Sequence, residues 1–293
     1  MQKISFAILF LIWSCASWRN FILFGKVKRE IPEKTYILQG SFLIKGWGLE
    51  NRTHKEVFFQ IPEKPLVCYL YWAGRNQTFV EDPFLFINGK KVRGHLIYEE
   101  MPGAPPPEIQ YIFTLRYDIT KFVHKGKNKL LIWGFDVYKN EGLGILAIYE
   151  HKNIGWRKIK IKEGLGFFWA GLPEPQKQNS RLVEFKLTNP ETTAVRIGLM
   201  FAGGEPSPRD DNIWMLASEK RLNLNSIIGR GEIIFKNALN SEAGKQWDCL
   251  DFNYQCGPDK KYLYLQVESP QNTSSPHKGD SLNFILAVLE ESL

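Results

Sequence analysis

At 293 residues, 44% of them apolar and 14% aromatic, the chain is long enough for two domains or one large sandwich that buries roughly three quarters of its unfolded surface. Its charged share of 24% excludes a disordered tail. The net charge of +7, or +6 without the single lysine of Met1 to Ala16, is a modest excess that favours anionic partners without naming one.

Residues 1–25 read as a signal peptide or N-terminal anchor. Lys3 gives a positive start, Ile4 to Trp13 is apolar apart from Ser5, and Ser14-Cys15-Ala16 offers small residues for cleavage. Phe21 to Phe24 adds a second apolar patch that would suit an anchor, but Arg19 and Asn20 interrupt it, and a spanning helix needs about 20 mostly apolar residues in a row. Cys15 is a candidate for lipid attachment. Beyond residue 25 no run approaches membrane length, so no further span is expected, and the rest is placed outside the cytoplasm: periplasmic, on the cell surface or secreted.

Period-two alternation dominates the chain beyond this segment, so the predicted fold class is all-β: antiparallel β-sandwich or jelly-roll units, two of them, with very little helix. The apolar runs Val67 to Trp72, Lys129 to Phe135 and Ile145 to Tyr149 read as central strands buried on both faces. Asn88-Gly89 is the best hairpin turn, since both residues tolerate positive φ, and a short helical turn is expected at Asp118 to Val123 with Asp118 as its N-cap. In Trp156 to Lys162, Ile159 and Ile161 alternate with Lys158, Lys160 and Lys162. This stripe is read as the solubilising face of an edge strand in preference to a nucleic-acid site, and no nucleic-acid partner is expected. Gly171 to Ser180, with two prolines and a polar run, marks the boundary between a first β unit at 33–172 and a second at 178–293. Tyr262 to Glu268 alternates again.

In an oxidising compartment Cys249 and Cys256 are the expected disulfide pair, with Cys68 a buried, inert thiol. Gly142-Leu143-Gly144 matches the loose dinucleotide pattern, but a strand rather than a helix follows it. No Gly-x-Ser-x-Gly elbow occurs, and the five histidines stand singly. The chain is therefore expected not to be an enzyme; an unseen carboxylate pair of a glycan-active enzyme is the second alternative. No cofactor is expected. The loop Asp210, Asp211 and Asn212, with Asp248, is the candidate set for a structural Ca2+ against the simpler reading of a turn. Trp169, Trp214 and Trp247 are the candidates for glycan stacking, which would make the chain a carbohydrate-binding module.

In order, Cys68 to Gly74, Tyr117 to Thr120, Leu143 to Glu150, Met200 to Gly204, Lys245 to Asp248 and Gly279-Asp280 resemble an uncharacterised extracellular all-β family. Its members stand at the front of large bacterial and archaeal surface proteins, often ahead of Ig-like repeat modules. The resemblance implies a surface or secreted sandwich acting in envelope structure or adhesion, with no catalytic residues to carry over. Ending at Leu293 without such repeats fits a stand-alone module. Anionic cell-surface glycans or envelope proteins are the expected partners.

Overall fold

The computed structural model describes residues 31–52, 55–77, 84–100, 111–132, 139–169, 178–189, 191–204, 211–239, 241–270 and 281–293. Among them are seventeen strands and a single 3₁₀ turn at Thr120–Phe122, so the chain is all-β, built of antiparallel sheets in a sandwich-like arrangement.

The largest sheet has nine strands and is organised by β1 (Glu33–Gly48), which changes partner along its length. Residues 33–39 pair with β10 (Trp156–Phe168), and residues 40–48 pair with β9 (Lys139–Glu150). Beyond β9 come β3 (Pro65–Asn76), β7 (Tyr111–Asp118) and β6 (His95–Glu100). Beyond β10 come β17 (Leu282–Ser292), β12 (Ala194–Ala202) and β15 (Trp247–Gln255). The two wings face each other: Phe42, Ile44, Tyr71, Ala73, Leu146 and Ile148 from one pack with Ile159, Ile161, Met200, Trp247, Leu286 and Val288 from the other.

Each wing carries a four-stranded sheet on its outer face. One consists of β2 (Lys55–Ile61), β8 (Gly126–Ile132), β4 (Phe84–Ile87) and β5 (Lys90–Arg93). Its Val57, Phe59, Leu85, Ile87 and Leu130 pack on Leu70, Trp72, Phe113, Leu143 and Ile145. The other consists of β11 (Val183–Lys186), β16 (Tyr262–Glu268), β13 (Asp211–Ser218) and β14 (Glu232–Ala238), and it meets the second wing through Phe235 against Phe252, ring centroids 4.8 Å apart.

This layering explains the apolar runs, because strands of the inner layers are covered on both faces. Cys68, Leu70, Tyr71 and Trp72 in β3, Ile145 to Ile148 in β9 and Leu282 to Leu289 in β17 are all buried. β8 departs from its expected two-sided burial: its residues alternate, because it lies in an outer sheet. The boundary expected near residue 175 does not divide two units. β10, from the first half, lies between β1 and β17, and Pro32–Leu293 forms one compact unit. Residues 171–177 of that stretch, like residues 1–30 with Cys15, fall outside the described residues.

The Asn88-Gly89 turn is present as expected, with φ of 47° and 77° closing β4 onto β5. The helical turn is shorter than expected, and Asp118 precedes it rather than capping it. Its Oδ1 accepts the Thr120 amide at 3.1 Å and the Thr120 hydroxyl at 2.6 Å, an Asx turn that leads the chain into the 3₁₀ segment.

Candidate functional site

Register on β10 defines the site. Antiparallel pairing sets Lys162 opposite Glu33, Lys160 opposite Thr35 and Lys158 opposite Ile37, with Trp156 opposite Gln39. Since alternate residues share a face, all eight point to one side, while Ile159 and Ile161 turn into the core with no exposure. Glu33, Thr35, Lys158 and Lys160 then form one wall of a groove of about 400 Å³ whose other wall is Lys186, Leu187 and Thr188, at and just after the end of β11.

The groove is held by a buried ion pair. Lys160 Nζ lies 3.0 Å from Glu291 of β17, with 4% and 0% of the two side chains exposed. Lys160 also donates to the Lys186 carbonyl, and the second Glu291 oxygen accepts the Thr188 amide at 2.7 Å. Both walls are thereby fixed to β17. Lys162 is matched by Glu33 at 3.4 Å. Lys158 and Lys186 are different: among the described residues neither has a carboxylate partner, Lys158 donating instead to the Thr188 hydroxyl at 2.9 Å. The unbalanced positive charge of the groove therefore sits on these two ammonium groups.

At the β10 end of the groove Trp156 is 53% exposed and Ile37 57%. The terminal Leu293, whose amide donates to the Trp156 carbonyl at 3.1 Å, is exposed as well. A half-exposed tryptophan on an interior strand is uncommon, because its large apolar surface is ordinarily covered.

The lysine stripe thus needs a different explanation from the one its sequence suggested. β10 has hydrogen-bonded partners on both sides, so its lysines do not protect an open edge.

The tryptophans expected to stack sugars do not come together. Trp247 has no exposure and lies in the core between the two wings. Trp214 is on β13 in an outer sheet, its indole N–H donating to Glu268 at 2.9 Å. Trp169 follows β10 and packs beside Ile112 and Phe167. The exposed tryptophan on the lysine face is instead Trp156, and the available signal was its place two residues before Lys158.

The expected disulfide is not formed. Cys68, Cys249 and Cys256 are all free. Cys249 lies near the start of β15 and Cys256 just past its end, so the six extended residues between them hold them roughly 23 Å apart, far beyond the Cα separation of about 4.4–6.8 Å that a disulfide spans. Burial raises all three thiols, Cys249 to about 12, and Cys68 is buried as expected.

Of the candidate calcium ligands, Asp210 falls outside the described residues. Asp211 and Asn212 open β13, while Asp248 is on β15. Among the described residues no three His, Cys, Asp or Glu side chains converge as a metal site would require. Asp248 organises its own turn, accepting the amides of Ser241 at 3.1 Å and Glu242 at 2.9 Å.

Burial nevertheless pushes the Asp248 carboxyl up to about 6 from its ordinary 3.8. The folded state therefore holds this proton more tightly than the unfolded chain. Its contribution to stability is fully present below about pH 4 and is lost as pH rises through about 6, a change of about 3 kcal/mol. Comparing urea unfolding of Asp248→Asn and wild type from pH 4 to pH 8 checks this. Whatever the substitution costs at pH 4, the difference moves toward the variant by about that amount by pH 8, whereas a flat difference contradicts it.

The buried glutamates are tied to cations or hydroxyls. Glu141 accepts from Arg75 at 2.7 Å; Glu163 accepts from Lys34 at 2.7 Å, Tyr71 at 2.9 Å and Arg116; Glu290 accepts from Ser41 at 2.6 Å. The Glu141 pair joins neighbouring strands of one wing, whereas Glu163 and Glu290 join strands across the two wings. Gly142 and Gly144, the residues of the dinucleotide-like pattern, lie within β9 and make room for side chains of the opposite wing: a Cβ at Gly142 would overlap Trp247, and one at Gly144 would press on Met200.

No family model matches the chain, and no curated protein matches it. Among solved structures, the Arthrobacter globiformis T6 isomalto-dextranase complexed with panose aligns with 79% of this chain and 36% of that one, at 10% identity and a TM-score of 0.23. This chain spans little more than a third of that protein.

Proposed function

We propose that this chain is a non-enzymatic, exported envelope or secreted β-sandwich protein that acts by surface contact, and that the contact it makes is with an acidic glycan held in the β10 groove. The observation that carries the reading is the pair Lys158 and Lys186, two ammonium groups facing one groove without a carboxylate partner among the described residues. Threonine hydroxyls of Thr35 and Thr188 stand beside them, and the groove walls are held in place by the Lys160–Glu291 pair. Cations on a pre-formed wall pay little ordering cost when they meet a carboxylate or phosphate. The leader-like start at Lys3 to Ala16 and the resemblance to surface proteins support the extracellular setting.

Binding of acidic and neutral oligosaccharides to the purified protein tests the proposal. Two unit charges 4 Å apart attract by about 1 kcal/mol in water, so reversing one lysine replaces that attraction by an equal repulsion, about 2 kcal/mol. Lys158→Glu combined with Lys186→Glu is expected to weaken acidic-glycan binding at least about 30-fold, and salt is expected to weaken the wild type in the same direction. Acidic glycans bound equally by wild type and variant, or neutral glycans bound equally well by the wild type, would overturn the reading.

A further inference from the structure

The charge balance of the groove and the position of Trp156 together specify the ligand more closely. This step rests on the reading of the groove as an acidic-glycan site. Of the four lysines nearest the groove, Lys160 is matched by Glu291 and Lys162 by Glu33, which leaves Lys158 and Lys186. Both line the groove, one on β10 and the other at the end of β11. Two cations lining one short groove from different strands suit one anionic group there, not a row of charges along the strand.

Along the strand the surface then changes character. Trp156 is on the same face as Lys158, two residues away, which is about 6.7 Å. Ile37 neighbours it on β1, diagonal in the register, and Leu293 on the other side. All three are about half exposed. An aromatic ring of this kind presents an apolar face to the C–H face of a sugar ring, while the cation beside it, Arg157, whose Nη1 donates to the Trp156 carbonyl at 3.4 Å and the Ser292 hydroxyl at 2.8 Å, is already matched by Glu290 at 3.6 Å, so a second charged sugar at that position would lose hydration for little return.

We infer that the groove recognises an acidic glycan in which a charged sugar is followed by an uncharged one: the carboxylate or phosphate between Lys158 and Lys186, and the ring of the uncharged neighbour on Trp156. Uniform polyanions are the poorer ligands, because only one of their charges finds ammonium partners.

The test measures affinity of wild type, Trp156→Ala, Trp156→Phe and the Lys158→Glu, Lys186→Glu double variant for three probes at one ionic strength. The probes are a hexasaccharide alternating uronic acid with neutral sugar, a hexasaccharide in which every sugar is a uronic acid, and inorganic polyphosphate. Wild type is expected to prefer the alternating probe by about tenfold, a preference that Trp156→Ala removes and Trp156→Phe largely keeps, since a stacked aromatic contributes on that scale. The same Trp156→Ala change leaves the affinity for the two uniform probes within about twofold. Uniform probes bound as tightly as the alternating one, with Trp156→Ala silent and the double variant still impaired, overturn this inference and leave the acidic-glycan reading standing. Acidic probes that bind no protein, or bind the double variant as well as the wild type, overturn both.

Discussion

Replacing Trp247 by alanine lowers the stability of the protein by about 3–5 kcal/mol, the range for deleting a fully buried aromatic, and the upper end of that range is expected here. The indole lies at the start of β15 with no exposure, against β1 and β9, where a Cβ on Gly46 or Gly142 would overlap its ring. The surface it fills is therefore largely backbone of paired strands, which cannot shift into a void without breaking ladder hydrogen bonds, and little of the cavity collapses. Against a total of about 5–15 kcal/mol for an ordinary domain, the loss shows as a large drop in the urea midpoint at unchanged slope. A loss below about 1 kcal/mol would mean that the two wings are not packed together around this ring.

Glu291→Ala is expected to cost a similar amount, about 3–5 kcal/mol, because it leaves the Lys160 ammonium buried without its counter-charge. The Thr188 amide loses its acceptor in the same step. The comparison that isolates the cause is the double replacement Lys160→Met with Glu291→Leu. It removes both charges and is expected to recover most of the loss, since a buried ion pair contributes little over a well-packed apolar one. Glycan binding separates from stability here: both variants release the Lys186 to Thr188 wall from its tethers, so both weaken binding even where the apolar pair restores folding. A Glu291→Ala variant within about 1 kcal/mol of wild type would contradict the buried pairing.

Much of the local structure was legible because strand alternation reports which face a residue belongs to. Ile159 and Ile161 point into the core between the wings and Lys158 and Lys160 to the opposite face of the strand as their period requires, and Asn88-Gly89 turns where its tolerance for positive φ allows. Alternation says nothing, however, about which strand lies alongside. β1 joins β10 across more than a hundred residues and β9 over a similar distance, and β17 returns from the end of the chain to pair with β10. Those long-range pairings merge the two expected units into one, and they turn an apparent edge strand into an interior one.

The site was obscured for the same reason. Lys186 and Thr188 meet Lys158 and Lys160 only because an outer sheet folds back onto β10, a juxtaposition with no local signature. Trp247 follows the turn residues Gly244 to Gln246 and reads in the sequence as a candidate for glycan stacking, yet it begins a strand whose neighbours have glycines where the ring lies. Cys249 and Cys256 are close in sequence, but Leu250 to Gln255 remain extended between them, and an extended segment separates its ends instead of bringing them together.

The most direct test of the central claim reads the lysines themselves. Amine acetylation of the native protein, quantified residue by residue by mass spectrometry with and without the alternating acidic hexasaccharide, is expected to show Lys158 and Lys186 protected by the ligand. Lys90 and Lys91, on the distant β5 hairpin, should react equally in both states. Protection that spreads evenly over the surface lysines, or that appears elsewhere while Lys158 and Lys186 react unchanged, would contradict the account.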